Sequence, residues 1–365
     1  MDLRAPSFSA ACRLISLLHV FLLLGCTKAV NQPGTENKTL LFPAVFGFGD
    51  SIVDQGNNNH LTTQIKCNFP PYGKDFMGGL PTGRFSNAKT LLDILAGELG
   101  IKEFVPAYLN PNLRNIDLIT GVSFASGASG YDPLTPKLRS VLSLSDQLDM
   151  FRDYTGKLNG AVGEERANNI INKSLILVVA GSVDFCHSYY TTGVRRSQYD
   201  VSSYCNLLAA SATNFIQEIY KLGARKIAVF GLPPVGCVPF MRTHDGGLLR
   251  LCAEHQNQAA QLFNTKLSSE LDTLTKILPE SKVVYIDIYN PLLDIIQNPQ
   301  LYGIEVVDRG CCGTGKLEVA LLCNQLSQTC LDDSKYLFWD SFHPTEKGYR
   351  TLIDHILQTN IHSFF

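Results

Sequence analysis

The chain has 365 residues, of which 45% are hydrophobic and 18% charged, and its formal net charge is −2. That is enough apolar material to bury the core of one large domain or two ordinary ones. The near-neutral balance argues against a nucleic-acid binder, which would carry a basic face.

At the N-terminus Arg4 and Arg13 supply positive charge, and a 13-residue apolar run from Leu14 to Cys26 follows. The small residues of "TKAV" come next, so residues 1–29 read as a secretory signal peptide cleaved after Ala29. The run is short for a bilayer span of about 20 residues, and no later segment is long enough to cross one. Cleavage would remove Asp2, Arg4, Arg13 and Lys28, moving the net charge from −2 to −4 and leaving nine of the 11 cysteines. In an oxidising compartment most of these are expected to pair, with one left over. Two sequons, at Asn37 ("NKT") and Asn172 ("NKS"), fit a secreted glycoprotein.

Beyond the leader, "PAVFGFG" (43–49) reads as a buried strand and "NAKTLLDILAGELG" (87–100) as a helix with leucines at helical spacing. "DLITGVSFA" (117–125) and "SLILVVAG" (174–181) are strand-like. A helix over 201–223 and a strand at 225–233 follow. A long helix over 251–278, a strand at 282–289 and a closing helix over 346–359 complete the order. The strands are apolar throughout, without alternation, which predicts a parallel sheet covered by helices on both faces. No stretch resembles a linker, so residues 30–365 are expected to form a single domain. In such sheets, sites gather at the carboxyl ends of strands. "GDS", "SGASG", "GSVD" and "GLPPVGCVP" all fall there.

A serine hydroxyl needs a histidine base that is itself oriented by a carboxylate. Ser51 sits where the first strand turns into a loop, just after Gly47 and Gly49. Near the other end, "FWDSFHP" places Asp340 three residues before His343, a spacing that brings carboxylate and imidazole together on a tight turn. Pro344 holds His343 in an extended conformation before the last helix. Either segment alone is more often an ordinary turn. The other histidines, His187 included, read as surface or packing residues.

With its intervening blocks the chain resembles the plant GDSL esterase/lipase family of the SGNH hydrolase superfamily. "FGDSIVDQGNNN", "GVSFASGASG", "AGSVD" and "FWDSFHPTEKGY" look like four of its blocks, in order. "FPPYGKDF", "PTGRFSNAKTLLDILA", "FGLPPVGCVP" and "DRGCCGTGKLEVALLCN" match between them, most like the extracellular-lipase branch. The resemblance implies a flavodoxin-like α/β/α sandwich and a triad of Ser51, Asp340 and His343. It also implies an oxyanion hole from the Ser51 and Gly127 backbone N–H groups, with Gly130 as the other option, plus an asparagine side chain. At that asparagine's position this chain has Val183, within Gly181-Ser182-Val183-Asp184. Losing one such donor typically costs about 10²–10³ in turnover. Ser182 and His187 carry nearby donors, but nothing in the sequence aims either at the site, and the alternative is that Val183 simply packs beneath it.

The reading is therefore a secreted serine esterase or lipase acting on lipid or acyl esters, with no metal or organic cofactor. Two alternatives stand beside it: an acyltransferase, and a catalytically weakened ester- or lipid-binding protein. "GCCGTGK" (310–316) mimics a phosphate-binding loop, but Leu317 stands where a Ser or Thr would hold magnesium. Cys311, Cys312, Cys323 and Cys330 lack the paired spacing of a zinc site and are expected to form disulfides. Another bridge is expected between Cys237 and Cys252, with Cys67, Cys186 and Cys205 unassigned.

Overall fold

The protein is described by a computed structural model over residues 41–314, 317–318 and 323–364. The signal-peptide reading at 1–29 and the Asn37 sequon lie outside the described residues. Four strands, β1 (Val45–Gly49), β2 (Leu175–Val179), β3 (Lys226–Phe230) and β4 (Lys282–Ile286), form a parallel sheet in that order. Their apolar composition follows from burial on both faces. Phe46, Phe48, Ile176, Val178, Ile227 and Val229 enter one core, while Val45, Leu177, Val179, Ala228 and Phe230 enter the other. Helices Leu144–Val162, Glu164–Lys173, Val201–Lys221 and Glu254–Ile277 cover the first face with residues such as Phe151, Ile171, Ile216 and Phe263. Helices Leu91–Glu98 and Glu346–Asn360 cover the second with Leu92, Leu95 and Ile353. The expected three-layer α/β/α sandwich is present. No described helix is long and apolar enough to cross a membrane.

One element differs from the sequence reading. Residues 117–120 belong to a short helix, Asn115–Thr120, whose start is capped when Asp117 accepts the Arg114 N–H at 3.0 Å. Only residues 121–126 run extended. They lie along the outer edge of β1, with Phe124 N–H donating to Gly47 O at 2.8 Å and Ser126 N–H to Gly49 O at 3.0 Å. With this segment counted as the second strand, the order in space is 2-1-3-4-5, the flavodoxin-like arrangement. The connections leaving the first strand and β2 therefore diverge, and a crevice opens at the carboxyl ends of these strands.

A smaller parallel pair, β5 (Val306–Gly310) and β6 (Tyr336–Phe338), leads into the Asp340 turn. Disulfides Cys311–Cys330 and Cys312–Cys323 staple the intervening loop, and Cys237–Cys252 closes the loop after β3. As cystines the four loop sulfurs are not thiolate ligands for zinc, and the sequence that mimics a phosphate loop is half disulfide staple. Among the described residues three cysteines, where one was expected, remain unpaired: Cys67, Cys186 and Cys205. Each is buried as a small apolar side chain, Cys67 among Tyr72, Phe85 and Trp339 and the other two in the core of the first face.

Candidate active site

Ser51 is delivered by a tight exit from β1. Gly49 has φ 124°, and a Cβ there would stand 1.8 Å from Val179 O, so only glycine lets the chain pass this close to β2. The Gln147 side chain pairs with Gly49 as a strand would, accepting from Gly49 N–H at 2.8 Å and donating to Gly49 O at 2.9 Å. Asp50 N–H donates to Val179 O at 2.9 Å, and the chain then turns, leaving Ser51 on a pocket wall.

The histidine arrives from the other end of the chain on a turn that Asp340 organises. Asp340 Oδ1 accepts the backbone N–H groups of Phe342 and His343, both at 2.8 Å, which folds the side chain back over its own turn. His343 Nδ1 lies 2.8 Å from Asp340 Oδ2, and His343 Nε2 lies 2.7 Å from Ser51 Oγ. Burial alone would raise the Asp340 carboxyl, but the adjacent His343 and the two backbone donors outweigh it and hold it below the usual carboxylate range. An ionised Asp340 draws the ring proton to Nδ1, which leaves Nε2 as an acceptor facing Ser51. Tyr72 completes the set, its hydroxyl donating to Asp340 Oδ2 at 2.7 Å. Within "FPPYGKDF" nothing local marks Tyr72 for this role, since its partner lies 268 positions away.

"QGNNN" is a clamp. Asn57 Nδ2 donates to Ser123 O at 2.9 Å and Ala125 O at 2.7 Å, while Asn58 Nδ2 donates to Gly127 O at 3.0 Å and Ile65 O at 2.9 Å. These bonds hold residues 123–127 beside the serine. They also correct the expectation for Gly127, whose N–H donates to Asp54 Oδ2 at 2.8 Å and so faces away from the pocket. Asp54 takes the N–H groups of Gly56 and Asn57 as well, each at 2.8 Å. Gly130, the other option, packs against Asp184, whose carboxylate would stand 2.2 Å from any Cβ added there, and it is not among the residues lining the pocket. The next residue, Ala128, has φ 68° and lines the pocket. Among the described residues neither the Ala128 nor the Ser51 N–H has an intramolecular partner.

In the third block Ser182, Val183 and His187 line the pocket. Asp184 turns away, accepting from Tyr131 N–H at 2.7 Å and from the Thr135 hydroxyl, and so anchors the second block. His187 is not a plain packing residue, since Arg139 Nη2 lies 3.0 Å from its Nδ1. His244 and His255 also have a carboxylate neighbour, Asp245, at 3.0 and 3.6 Å, at exposed positions. Asn172 is exposed near the end of the Glu164–Lys173 helix.

The pocket holding Ser51, Asp340 and His343 has a volume of about 430 Å³, and Ile65, Phe69, Phe85, Val235, Val238 and Leu292 contribute to its walls. A second depression of about 680 Å³, lined by Phe76, Arg84 and Lys102, is larger but contains none of those three residues. Chemistry, not size, singles out the first.

Asp50, beside the serine, gives a stability prediction. Burial pushes its carboxyl from 3.8 up to about 7, against a single backbone bond from Ile52 and the pull of His343. The folded state thus keeps a proton that the unfolded chain releases, so stability falls as pH rises between those two values. Asp54, raised to about 6, and Asp184, raised to about 8, act in the same direction. Thermal unfolding should therefore shift down between about pH 5 and pH 8, and by a smaller amount in Asp50→Asn. Equal shifts in both proteins would refute this account of Asp50.

Comparison with known proteins matches residues 45–356 to the family model described as GDSL-like lipase/acylhydrolase. The chain is 53% identical over 351 residues to GDSL esterase/lipase EXL3 of Arabidopsis thaliana, covering 96% of this chain and 95% of that protein. It is 48% identical over 347 residues to GDSL esterase/lipase EXL2 of the same plant, covering 91% of this chain and 92% of the relative.

Proposed function

Since the chain belongs to the GDSL-like lipase/acylhydrolase family, we propose that it is a secreted serine esterase that hydrolyses lipid or acyl esters through an acyl-enzyme. The observation that carries this reading is the hydrogen-bonded series Ser51–His343–Asp340, at 2.7 and 2.8 Å, at the wall of a largely apolar pocket. His343 Nε2 takes the Ser51 proton as Oγ bonds to the ester carbonyl carbon. The same nitrogen then protonates the departing alcohol as the C–O bond breaks. Water, deprotonated by His343, attacks the acyl-enzyme and releases the carboxylic acid, returning the proton to Ser51. The Ser51 and Ala128 N–H groups are the donors assigned here to the oxyanion. Secretion, through a signal peptide over 1–29 ahead of a single hydrolase domain at 30–365, and glycans on Asn37 and Asn172 belong to the same proposal.

Hydrolysis of short-chain p-nitrophenyl esters by the purified mature chain tests the activity. Absence of turnover across chain lengths would refute the esterase reading. Val183 favours a second reading, in which a two-donor oxyanion hole serves slow hydrolysis or acyl transfer to an alcohol. Val183→Asn should raise kcat by about 10²-fold if a third donor is what the site lacks. An unchanged kcat would show that two backbone donors suffice. Tyr72→Phe should lower kcat about tenfold with little change in KM, since it removes one hydrogen bond to a buried charged group. A change confined to thermal stability would make Tyr72 a packing residue only.

A further inference from the structure

Two cations face the pocket without an acidic partner. Lys66 and Arg139 both line it, Lys66 from a loop and Arg139 from the end of the Leu134–Arg139 helix, and the Thr63 hydroxyl ties the two segments together by donating to Arg139 O at 2.7 Å. Lys66 Nζ reaches only a backbone carbonyl, Asn59 O, at 3.2 Å. The Arg139 guanidinium reaches the His187 ring at 3.0 Å. That ring does not offset the charge: burial, reinforced by Arg139 itself, lowers His187 to about 4, so it is neutral at physiological pH. Neither cation joins an ion pair among the described residues.

These groups sit to one side of the chemistry. The His187 ring centre is 5.5 Å from that of Phe342, which is 6.2 Å from that of His343. Arg139 contacts His187 and not His343, which suits it to a part of the substrate other than the scissile ester. The two pocket carboxyls, Asp50 and Asp340, belong to the serine end. Asp340 is paired with His343, and Asp50 is partly protonated near neutrality. The intervening walls are hydrocarbon, among them Phe69, Val238 and Leu292. A guanidinium matches carboxylate and phosphate geometry, and its attraction for either is stronger in a half-buried cleft than in open water.

We propose that Lys66 and Arg139 bind an anionic group, a carboxylate or a phosphate, that the ester substrate carries away from its scissile bond. The proposal rests on the esterase reading for the word substrate, but its test does not require turnover. Calorimetry on the full mature chain carrying Ser51→Ala would compare monomethyl adipate with dimethyl adipate, and 1-butanoylglycerol 3-phosphate with 1-butanoylglycerol. The anionic member of at least one pair should bind about tenfold more tightly at low salt, as expected of a charge-assisted hydrogen bond. That ratio should approach one when Arg139→Gln is added, fall part of the way with Lys66→Gln, and shrink at high salt with both cations intact. A preference confined to one pair identifies carboxylate or phosphate as the recognised group. Equal affinities within both pairs, or a ratio indifferent to salt and to Arg139→Gln, would overturn the proposal. The salt series needs no variant at either cation, so it decides the matter even if Arg139→Gln fails to fold. Failure of the esterase reading would appear separately, as absence of ester turnover by the wild-type chain.

Discussion

Ser51→Ala is expected to lower ester turnover by about 10⁶-fold, the scale seen when a triad nucleophile is removed from a serine hydrolase. The side chain makes one hydrogen bond, to His343, and its removal leaves the Gly49 exit and the Gln147 clamp untouched. The fold should therefore persist, with an unfolding temperature close to that of the wild type. Residual activity would come from binding and the backbone donors alone. Steady-state rates on a p-nitrophenyl ester, with both protein concentrations set by absorbance, check the size of the loss. A variant within tenfold of the wild type would remove Ser51 from the role of nucleophile.

Asp340→Asn should cost about 10⁴ in kcat. The amide oxygen can still accept the Phe342 and His343 N–H groups that shape the turn. In the proposed mechanism it would present no negative charge to the imidazolium formed as Ser51 attacks, and its NH₂ group would favour the wrong ring tautomer. The loss should fall on kcat, with binding of a non-hydrolysable ester analogue little changed. If the variant instead lost affinity and kept its rate, Asp340 would be a structural residue. Tyr72 belongs to this prediction as well, since its hydroxyl holds the other oxygen of the same carboxylate.

The layers of the fold were legible because their signals are local and repeated. Runs such as "LILVV" and "KIAVF" are buried on both faces, and composition reports that directly. The misread segment at 117–125 shows the limit. "DLIT" is as apolar as a strand, but Asp117 caps its own short helix and Gly121 ends it, so the strand starts at the glycine. Ser51, Asp340 and His343 were readable as candidates because each stands in a motif with its own geometry. What joins them was not readable. Gln147, Asn57, Asn58 and Tyr72 act through single hydrogen bonds across large separations in sequence, and a lone buried amide or phenol has no periodicity. The same reason hides which backbone N–H groups face the pocket. Whether Gly127 or its neighbour offers an N–H to the pocket depends on which one Asp54 has already taken. His187 was set aside for lack of a nearby carboxylate, whereas its partner in space is Arg139.

The central claim is that Ser51 becomes a nucleophile because His343 and Asp340 stand behind it. Intact-protein and peptide mass spectrometry after reaction with diethyl p-nitrophenyl phosphate tests this most directly. The account predicts one diethylphosphoryl adduct per chain, on the peptide containing Ser51, formed rapidly by the wild type and at least about a thousandfold more slowly by His343→Ala. No adduct, an adduct on another residue, or equal labelling of both proteins would contradict it.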